Sequence, residues 1–249
     1  MDEQELCKKR LMDLSRQAYN RQIVTFSGFL NLNEQNIYHS LQKELYCQSE
    51  LFGGYDLAER QMVAFIPDAL CYAWDYPISC IEVKPLYPKF AEEISHRDVL
   101  GAVMHLGIER NRIGDILLKD KRAYIYCDSS IHAYIMNHLT QIRHTMMQLS
   151  LLEDGQNLSI QPEFEERTDM VASNRIDAII ARAYHLSRSE AAAYIAAEKV
   201  FINGKRAGSN TACENGAVVS VRGKGRFIFE TDETYSKKGK LKVRFLMYQ

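Results

Sequence analysis

Long apolar runs are absent from this sequence of 249 residues. No stretch approaches the roughly 18 apolar residues that a membrane-spanning helix needs. The amino-terminal segment MDEQELCKKRLMDL carries charges throughout and lacks the uninterrupted apolar core of a secretory signal. We therefore expect a cytoplasmic protein that does not associate with membranes.

Clustered metal ligands are lacking as well. None of the 6 cysteines forms a C-x-x-C pair, and neither they nor the 7 histidines have the spacing of zinc ligands. The sequence contains no glycine-rich phosphate-binding loop and no Asp-Phe-Gly motif. We expect reduced thiols, no metal, no cofactor and no small-molecule substrate.

Short motifs superficially resemble catalytic loops. Ser95–Asp98 reads SHRD, as in protein kinases, but Val103 stands where the kinase loop has an asparagine. Asp98 and Asp177 each follow an arginine closely, as the catalytic aspartate of pseudouridine synthases does. Helix-forming residues surround both, however, without the Thr-Ser-Gly context of those enzymes. We predict no catalytic residue, and an RNA-modifying enzyme stays as an alternative.

Charge is distributed unevenly along the chain. The formal net charge is −1, yet residues 171–249 contain 14 lysines and arginines against 7 acidic residues. The rest of the chain contains 17 basic and 25 acidic side chains. A basic carboxy-terminal third attached to an acidic body is typical of a module that binds a polyanion, so we predict nucleic-acid binding there.

The pattern predicts an α+β protein whose first segment, residues 1–75, is a mixed α/β region. Apolar residues from Leu6 to Leu14 recur at helical spacing, and a second periodic segment covers residues 34–45. The alternating residues 61–66 predict a strand.

Residues 76–152 follow the order β-α-β-β-α-β, which predicts a ferredoxin-like domain of the kind that RNA-recognition domains use. Ser95 is the predicted cap of the first helix, and Lys119-Asp120-Lys121 is the predicted turn between the second and third strands. The predicted elements are strands 78–83, 113–118, 123–127 and 145–151 and helices 95–108 and 128–139.

Residues 153–170 are strongly acidic. They contain six acidic residues and Arg167, with Gly155 and Pro162 and little apolar content. This composition indicates an acidic linker or an acidic edge.

Residues 171–249 predict a small α+β unit of two helices followed by strands. Ser173 or Asn174 is the predicted cap of the first helix, and Ser187 has capping-box spacing to Glu190 at the start of the second. The expected apolar face of that second helix consists of Ala192, Ile195 and Ala196. The predicted elements are helix 176–183 and strands 200–202, 217–221, 226–229 and 241–246, with a hairpin turn at Asn203-Gly204.

Several stretches carry a family resemblance. RIDAIIARAYHLSRSEAAAYIAAEKVFINGKR, followed by Gly216 and VVSVRG, is similar to the S4 RNA-binding domain over residues 174–223. It departs from that family at Glu214-Asn215-Gly216, where Gly-Asp is usual near the turn. FSGFLNLNEQ, FGGYDLAERQ, SHRDVLGAVMHLGIERNRIGDILL and GKGRFIFETDETYSKKGK resemble segments of the YlmH-type bacterial S4 proteins.

This resemblance implies a non-catalytic protein that binds ribosomal RNA of the large subunit and acts in quality control of stalled nascent chains. Whether tRNA is a second RNA partner is left open. We expect a monomer. A protein scaffold linked to cell division is the alternative role outside RNA chemistry.

Basic side chains frame the second predicted helix of the carboxy-terminal segment. Arg188 and Ser189 follow its cap, where free backbone N–H groups and the helix dipole favour a phosphate. Arg175 is placed either to complete a fork-like anion site with Arg188 or to pair with Asp177 or Glu190. The predicted RNA-binding residues are Arg175, Arg182, Ser187, Arg188, Ser189, Lys199, Asn203, Lys205, Arg206, Arg222, Lys224, Lys237 and Lys238.

The central segment offers further hypotheses. Tyr124 and Tyr126 alternate on one predicted strand and are candidates for base stacking, but burial is favoured because the octapeptide motif of RNA-recognition domains is absent. Candidates for a second contact with RNA are Arg97, Arg110 and Arg112. A solvated loop is the alternative for Arg110 and Arg112.

Overall fold

The computed structural model describes residues 3–68, 70–152, 164–236 and 239–248. The chain separates into two compact units, residues 1–161 and residues 162–249, called here the amino-terminal and carboxy-terminal units. Both mix helices with antiparallel sheets, so the predicted α+β class is confirmed. Within the described residues, no helix combines the length and apolar character needed to cross a membrane.

The amino-terminal unit begins with two helices against a three-stranded antiparallel sheet in the order β1-β3-β2. Its elements are α1 Glu3–Arg21, β1 Thr25–Phe26, α2 Leu32–Leu41, β2 Gln48–Phe52 and β3 Met62–Ile66. The predicted helices and the predicted strand are present. β2 was not predicted, because its sequence QSELF is largely polar. Within the described residues it is an edge strand, paired with β3.

The second part of this unit has the predicted β-α-β-β-α-β order. Its elements are β4 Ile78–Pro85, α3 His96–His105, β5 Ile113–Lys119, β6 Arg122–Asp128, α4 His132–His138, β7 Gln141–Ile142 and β8 Thr145–Leu152. The antiparallel sheet runs β5-β6-β4-β8-β7, and its four main strands have the ferredoxin-like order. α4 begins later than predicted because Asp128 closes a turn, its Oδ1 accepting from the Ser130 backbone N–H at 2.9 Å.

The carboxy-terminal unit is a six-stranded antiparallel sheet with two helices packed on it. Its elements are β9 Phe164–Val171, α5 Ile176–Ala183, α6 Arg188–Ala196, β10 Val200–Ile202, β11 Lys205–Arg206, β12 Ala217–Val221, β13 Gly225–Glu230 and β14 Leu241–Tyr248. The sheet order is β11-β10-β12-β13-β14-β9. Asn203 and Gly204 both have positive φ, 47° and 74°, as the predicted hairpin turn requires.

The prediction of an acidic linker is wrong for residues 164–170. They belong to β9, which pairs with β14 from Phe164 opposite Tyr248 to Val171 opposite Leu241 and forms the edge of the sheet. The alternative, an acidic edge, describes this strand. Charged cross-strand contacts, such as that of Glu166 with Arg244 at 3.8 Å, favour a strand with little apolar content. Residues 153–163 lie outside the described part of the chain.

Two details of the helices differ from expectation. The N-cap of α5 is Arg175 rather than Ser173 or Asn174, and the first helical N–H, of Ile176, donates to the Thr211 carbonyl at 3.0 Å. A tertiary contact thus replaces the side-chain cap. On α6, the buried residues are Ala191 and Ile195, whereas Ala192 and Ala196 are exposed.

Candidate nucleic-acid interface

The amino terminus of α6 is built by the predicted capping box. Ser187 Oγ accepts from the Glu190 backbone N–H at 3.2 Å, and Glu190 Oε2 accepts from the Ser187 N–H at 2.8 Å. Hydrogen bonds from Ser187 lower the pKa of Glu190, and the charge of Lys224 lowers this pKa further. Lys224, in the turn between β12 and β13, therefore lies near the first turn of α6.

Exposed cations lie in the first turn of α6, just after α6 and in the turn that follows β12. Arg188 is the first residue of α6 and is exposed. Lys199 and Arg222 are adjacent, since the Arg222 backbone N–H donates to the Lys199 carbonyl at 2.9 Å. Arg188, Lys199, Arg222 and Lys224 are called the basic surface below. Within the described residues, none of these four cations forms an ion pair with a carboxylate.

Aromatic rings support part of the basic surface. The Arg222 guanidinium lies 4.9 Å from the centroid of the Phe201 ring, and Lys199 Nζ lies 5.8 Å from that of Tyr194. A cation over an aromatic face keeps its full charge. The rings therefore position these cations without neutralising them.

Other predicted cations are paired with acidic residues. Arg175 bonds Asp177 through Nε–Oδ1 at 3.1 Å and Nη2–Oδ2 at 3.3 Å. This is the salt-bridge alternative to the fork-like anion site. Further pairs join Arg182 to Asp169 at 3.3 Å and Arg206 to Glu198 at 2.5 Å.

The remaining predicted residues of this unit have diverse settings. Ser189 Oγ lies 3.0 Å from Ser187 Oγ at the cap of α6. Asn203 Oδ1 accepts from the Val218 backbone N–H at 2.8 Å and so stabilises the hairpin turn. Lys205 is exposed on the edge strand β11. Lys237 and Lys238 fall outside the described part of the chain.

The three arginines of the central segment that were predicted as a second RNA contact have different environments. Arg97 is exposed in the first turn of α3. Arg110 is half-buried and donates to the Ile113 carbonyl at 2.5 Å. Burial lowers the pKa of Arg110, and the charge of Arg60 lowers it further, to about 10. Arg112 Nε lies 3.4 Å from Asp128 Oδ2. Arg110 and Arg112 are therefore engaged within the fold rather than in a solvated loop.

Tyr124 and Tyr126 are buried, as favoured from the sequence. The Tyr126 ring lies 5.0 Å from the Tyr55 ring, and Tyr55 belongs to a loop that covers this face of the sheet. Gly54 in that loop has φ 100°, and a Cβ there would lie 2.5 Å from Tyr126. This covering segment prevents Tyr126 from stacking on a base.

The covering loop is held by contacts that sequence reasoning missed. Asp115 on β5 accepts from the Tyr55 hydroxyl at 2.7 Å and from the backbone N–H groups of Glu59 at 2.7 Å and Arg60 at 3.1 Å. The Arg60 guanidinium donates to the Phe29 carbonyl at 2.8 Å. The motifs FSGFLNLNEQ, FGGYDLAERQ and RIGDILL therefore meet at one internal junction. No local pattern in the sequence signals these pairings.

The residues considered for catalysis have structural partners. Asp98 Oδ2 accepts from the Ser95 backbone N–H at 2.9 Å, which completes the capping box of α3. Asp177 holds Arg175. In the described ranges, no group of three or more His, Cys, Asp or Glu side chains is arranged to hold a metal ion.

Comparisons with known proteins agree with the sequence motifs. Residues 72–154 match the family model described as "Putative RNA-binding domain in YlmH". The chain is 27% identical over 222 residues to ribosome-associated protein quality control protein P2 of Bacillus subtilis (strain 168), covering 88% of this chain and 85% of that protein. These matches confirm the resemblance to YlmH-type proteins.

A solved structure has the same fold. The structure titled "Cell division protein ylmH from Streptococcus pneumoniae" matches with a TM-score of 0.52 and 23% identity. The match covers 64% of this chain and 96% of that one. At this level of identity the likeness concerns the fold alone.

Proposed function

We propose that this chain is a non-catalytic, cytoplasmic RNA-binding protein that associates with the ribosome and binds ribosomal RNA of the large subunit through its carboxy-terminal unit. The observation that carries the proposal is the basic surface. Arg188, Lys199, Arg222 and Lys224 are exposed and unneutralised within the described residues, while neighbouring arginines are paired. Such a surface attracts a phosphate backbone.

The start of α6 supplies the geometry for a phosphate. The capping box uses the Glu190 N–H and leaves the N–H groups of Arg188 and Ser189 without a protein acceptor in the described residues. These groups point outward at the positive end of the helix dipole. A phosphate oxygen bound there gains the backbone donors together with the side chains of Arg188 and Lys224.

The comparisons support the same assignment at a coarser level. The matched family model is described as an RNA-binding domain, and the relative from Bacillus subtilis is named for ribosome-associated quality control. By extension, we assign this chain to the quality control of stalled nascent chains. We propose tRNA, bound beside the large-subunit RNA, as the second RNA partner.

The contacts of Asp98 and Asp177 support a non-catalytic function. A pseudouridine synthase needs a carboxylate that faces its substrate. Ser95 holds Asp98 in a helix cap, and Arg175 holds Asp177 in an ion pair. Both carboxylates have a structural role in the fold.

Sedimentation tests the proposal. The purified full chain is mixed with separated ribosomal subunits, and its RNA contacts are mapped by ultraviolet crosslinking. We expect sedimentation with the large subunit, release after ribonuclease treatment, and crosslinks in the carboxy-terminal unit. Association only with the small subunit, or with partners that survive ribonuclease, would contradict the proposal.

A further inference from the structure

Large apolar side chains project into solvent at one end of the central sheet. Phe90 is 87% exposed and Tyr87 is 64% exposed. Leu86 and Met146 lie beside each other, since the Leu86 backbone N–H donates to the Met146 carbonyl at 2.9 Å, and they are 45% and 49% exposed. Exposed aromatic residues in a soluble protein often mark a binding site.

The segment that carries the rings is anchored at both ends. Its turn, Pro88–Phe90, is a short 3₁₀ helix, closed by the Phe90 N–H donating to the Tyr87 carbonyl at 3.1 Å. Lys121 Nζ donates to the Ala91 carbonyl at 3.1 Å. Residues three apart in such a turn lie on the same side. The backbone therefore presents Tyr87 and Phe90 together.

Lysines accompany the rings. Lys89 lies in the turn itself, and Lys121 reaches the end of the turn from the β5–β6 hairpin; both are exposed. Glu92, the acidic residue nearest in sequence to the turn Pro88–Phe90, is paired with Arg143 at 3.4 Å. Flat rings interleaved with lysines match the bases and phosphates of a single-stranded nucleic acid better than they match an apolar protein surface.

The usual stacking surface of this fold is closed. RNA-recognition domains stack bases on aromatic residues of the open sheet face. Here Tyr55 and Gly54 cover Tyr126 on that face. A base-stacking contact by this domain therefore needs aromatic rings elsewhere, and Tyr87 and Phe90 supply them.

We propose that the loop of residues 86–90 binds unpaired RNA, with Tyr87 and Phe90 stacking on bases and Lys89 and Lys121 contacting phosphates. This inference rests on the proposed RNA-binding function and assigns a second contact, separate from the basic surface. Stacking accepts any base, so the loop distinguishes unpaired from duplex RNA rather than one sequence from another.

The test uses the full chain and an unpaired RNA of about 12 nucleotides, with the matching duplex as comparison. Phe90→Leu keeps apolar bulk but removes the flat ring, and Phe90→Trp restores a ring. We expect Phe90→Leu and Tyr87→Ala each to weaken binding of the unpaired RNA by roughly fivefold or more, with little change for the duplex. Phe90→Trp retains affinity.

A matched control is Tyr134→Ala, which removes a 45% exposed aromatic residue from α4 of the same domain and should leave binding unchanged. If Phe90→Leu and Tyr87→Ala bind unpaired RNA as tightly as the unaltered chain does, the loop assignment is overturned. If Arg188→Ala still weakens binding in that case, the proposed function stands. Loss of ribosome association with unchanged binding of free RNA identifies a protein partner and also overturns the assignment. Absence of RNA binding by the unaltered chain overturns both proposals.

Discussion

The guanidinium of Arg175 and the carboxylate of Asp177 form a two-bonded ion pair at the start of α5, with distances of 3.1 Å and 3.3 Å. The Arg175 side chain is 49% exposed, so the pair contributes only about 0–1 kcal/mol to stability. It does neutralise a cation that is a candidate for RNA binding. A phosphate at this position must compete with Asp177 for the guanidinium.

Asp177→Asn should therefore strengthen RNA binding. Removal of the negative charge releases Arg175 and raises the local potential, and we expect a gain of roughly 0.5–1 kcal/mol in binding free energy at low salt. Thermal stability should change little. Titration of labelled ribosomal RNA with each variant measures the effect. Weaker binding by Asp177→Asn would show that this carboxylate assists the interface.

Arg188→Ala should weaken RNA binding without lowering the stability of the fold. A cation in the first turn of a helix is mildly unfavourable, so the melting temperature should stay unchanged or rise slightly. Binding of ribosomal RNA should fall by roughly 1–3 kcal/mol, the range for a hydrogen bond between charged groups. Melting curves and RNA titrations on the same samples test both parts.

Arg206→Ala is the matched control for Arg188→Ala, because Arg206 is equally basic but paired with Glu198 at 2.5 Å. It should lose less RNA affinity. If Arg188 and Arg175 share one phosphate cluster, the double alanine variant loses less than the sum of the single variants. A large drop in melting temperature with normal binding would make Arg188 a structural residue.

Local sequence signals predicted most elements but not the long-range pairings. The Ser95 cap, the Ser187 capping box and the Asn203-Gly204 turn were predicted because each depends on residues close together in sequence. β9 was not, since its partner β14 lies at the other end of the unit. Likewise, the buried side of α6 was misassigned because consecutive alanines give no polar contrast to mark it.

The same holds for the candidate site. Its cations were predicted from the composition, but which arginines pair with carboxylates depends on the fold. Asp169 on β9 pairs with Arg182 on α5, and this contact depends on a strand in the segment that was predicted to be an acidic linker or an acidic edge. The approach of Lys224, in the β12–β13 turn, to Glu190 on α6 likewise depended on the fold.

β9 defines the boundary of the carboxy-terminal unit. A fragment of residues 162–249 contains the whole six-stranded sheet and its core and should fold and bind RNA. A fragment that begins at residue 172 lacks β9. It leaves β14 as the edge strand, paired only with β13, and should melt at a lower temperature or aggregate. Circular dichroism melts compare the two. Equal stability would show that β9 is dispensable.

Asp115→Ala should destabilise the amino-terminal unit. The change leaves the N–H groups of Glu59 and Arg60 and the Tyr55 hydroxyl without their acceptor. We expect a loss of about 2–4 kcal/mol in the free energy of unfolding, measured by urea denaturation. Binding to RNA through the basic surface should persist at temperatures where this variant is folded. An unchanged urea midpoint would show that the junction does not depend on Asp115.

The salt dependence of binding tests the central claim most directly. Affinity of the full chain for large-subunit ribosomal RNA is measured over a salt series, for the unaltered chain and for Arg188→Ala and Lys224→Ala. If the four cations of the basic surface contact phosphates, the logarithm of affinity should fall linearly with the logarithm of salt, with a slope of about −3 to −4 or steeper. Each variant should reduce the magnitude of the slope by about 1. Binding that is independent of salt, or a slope that neither variant changes, would contradict the account.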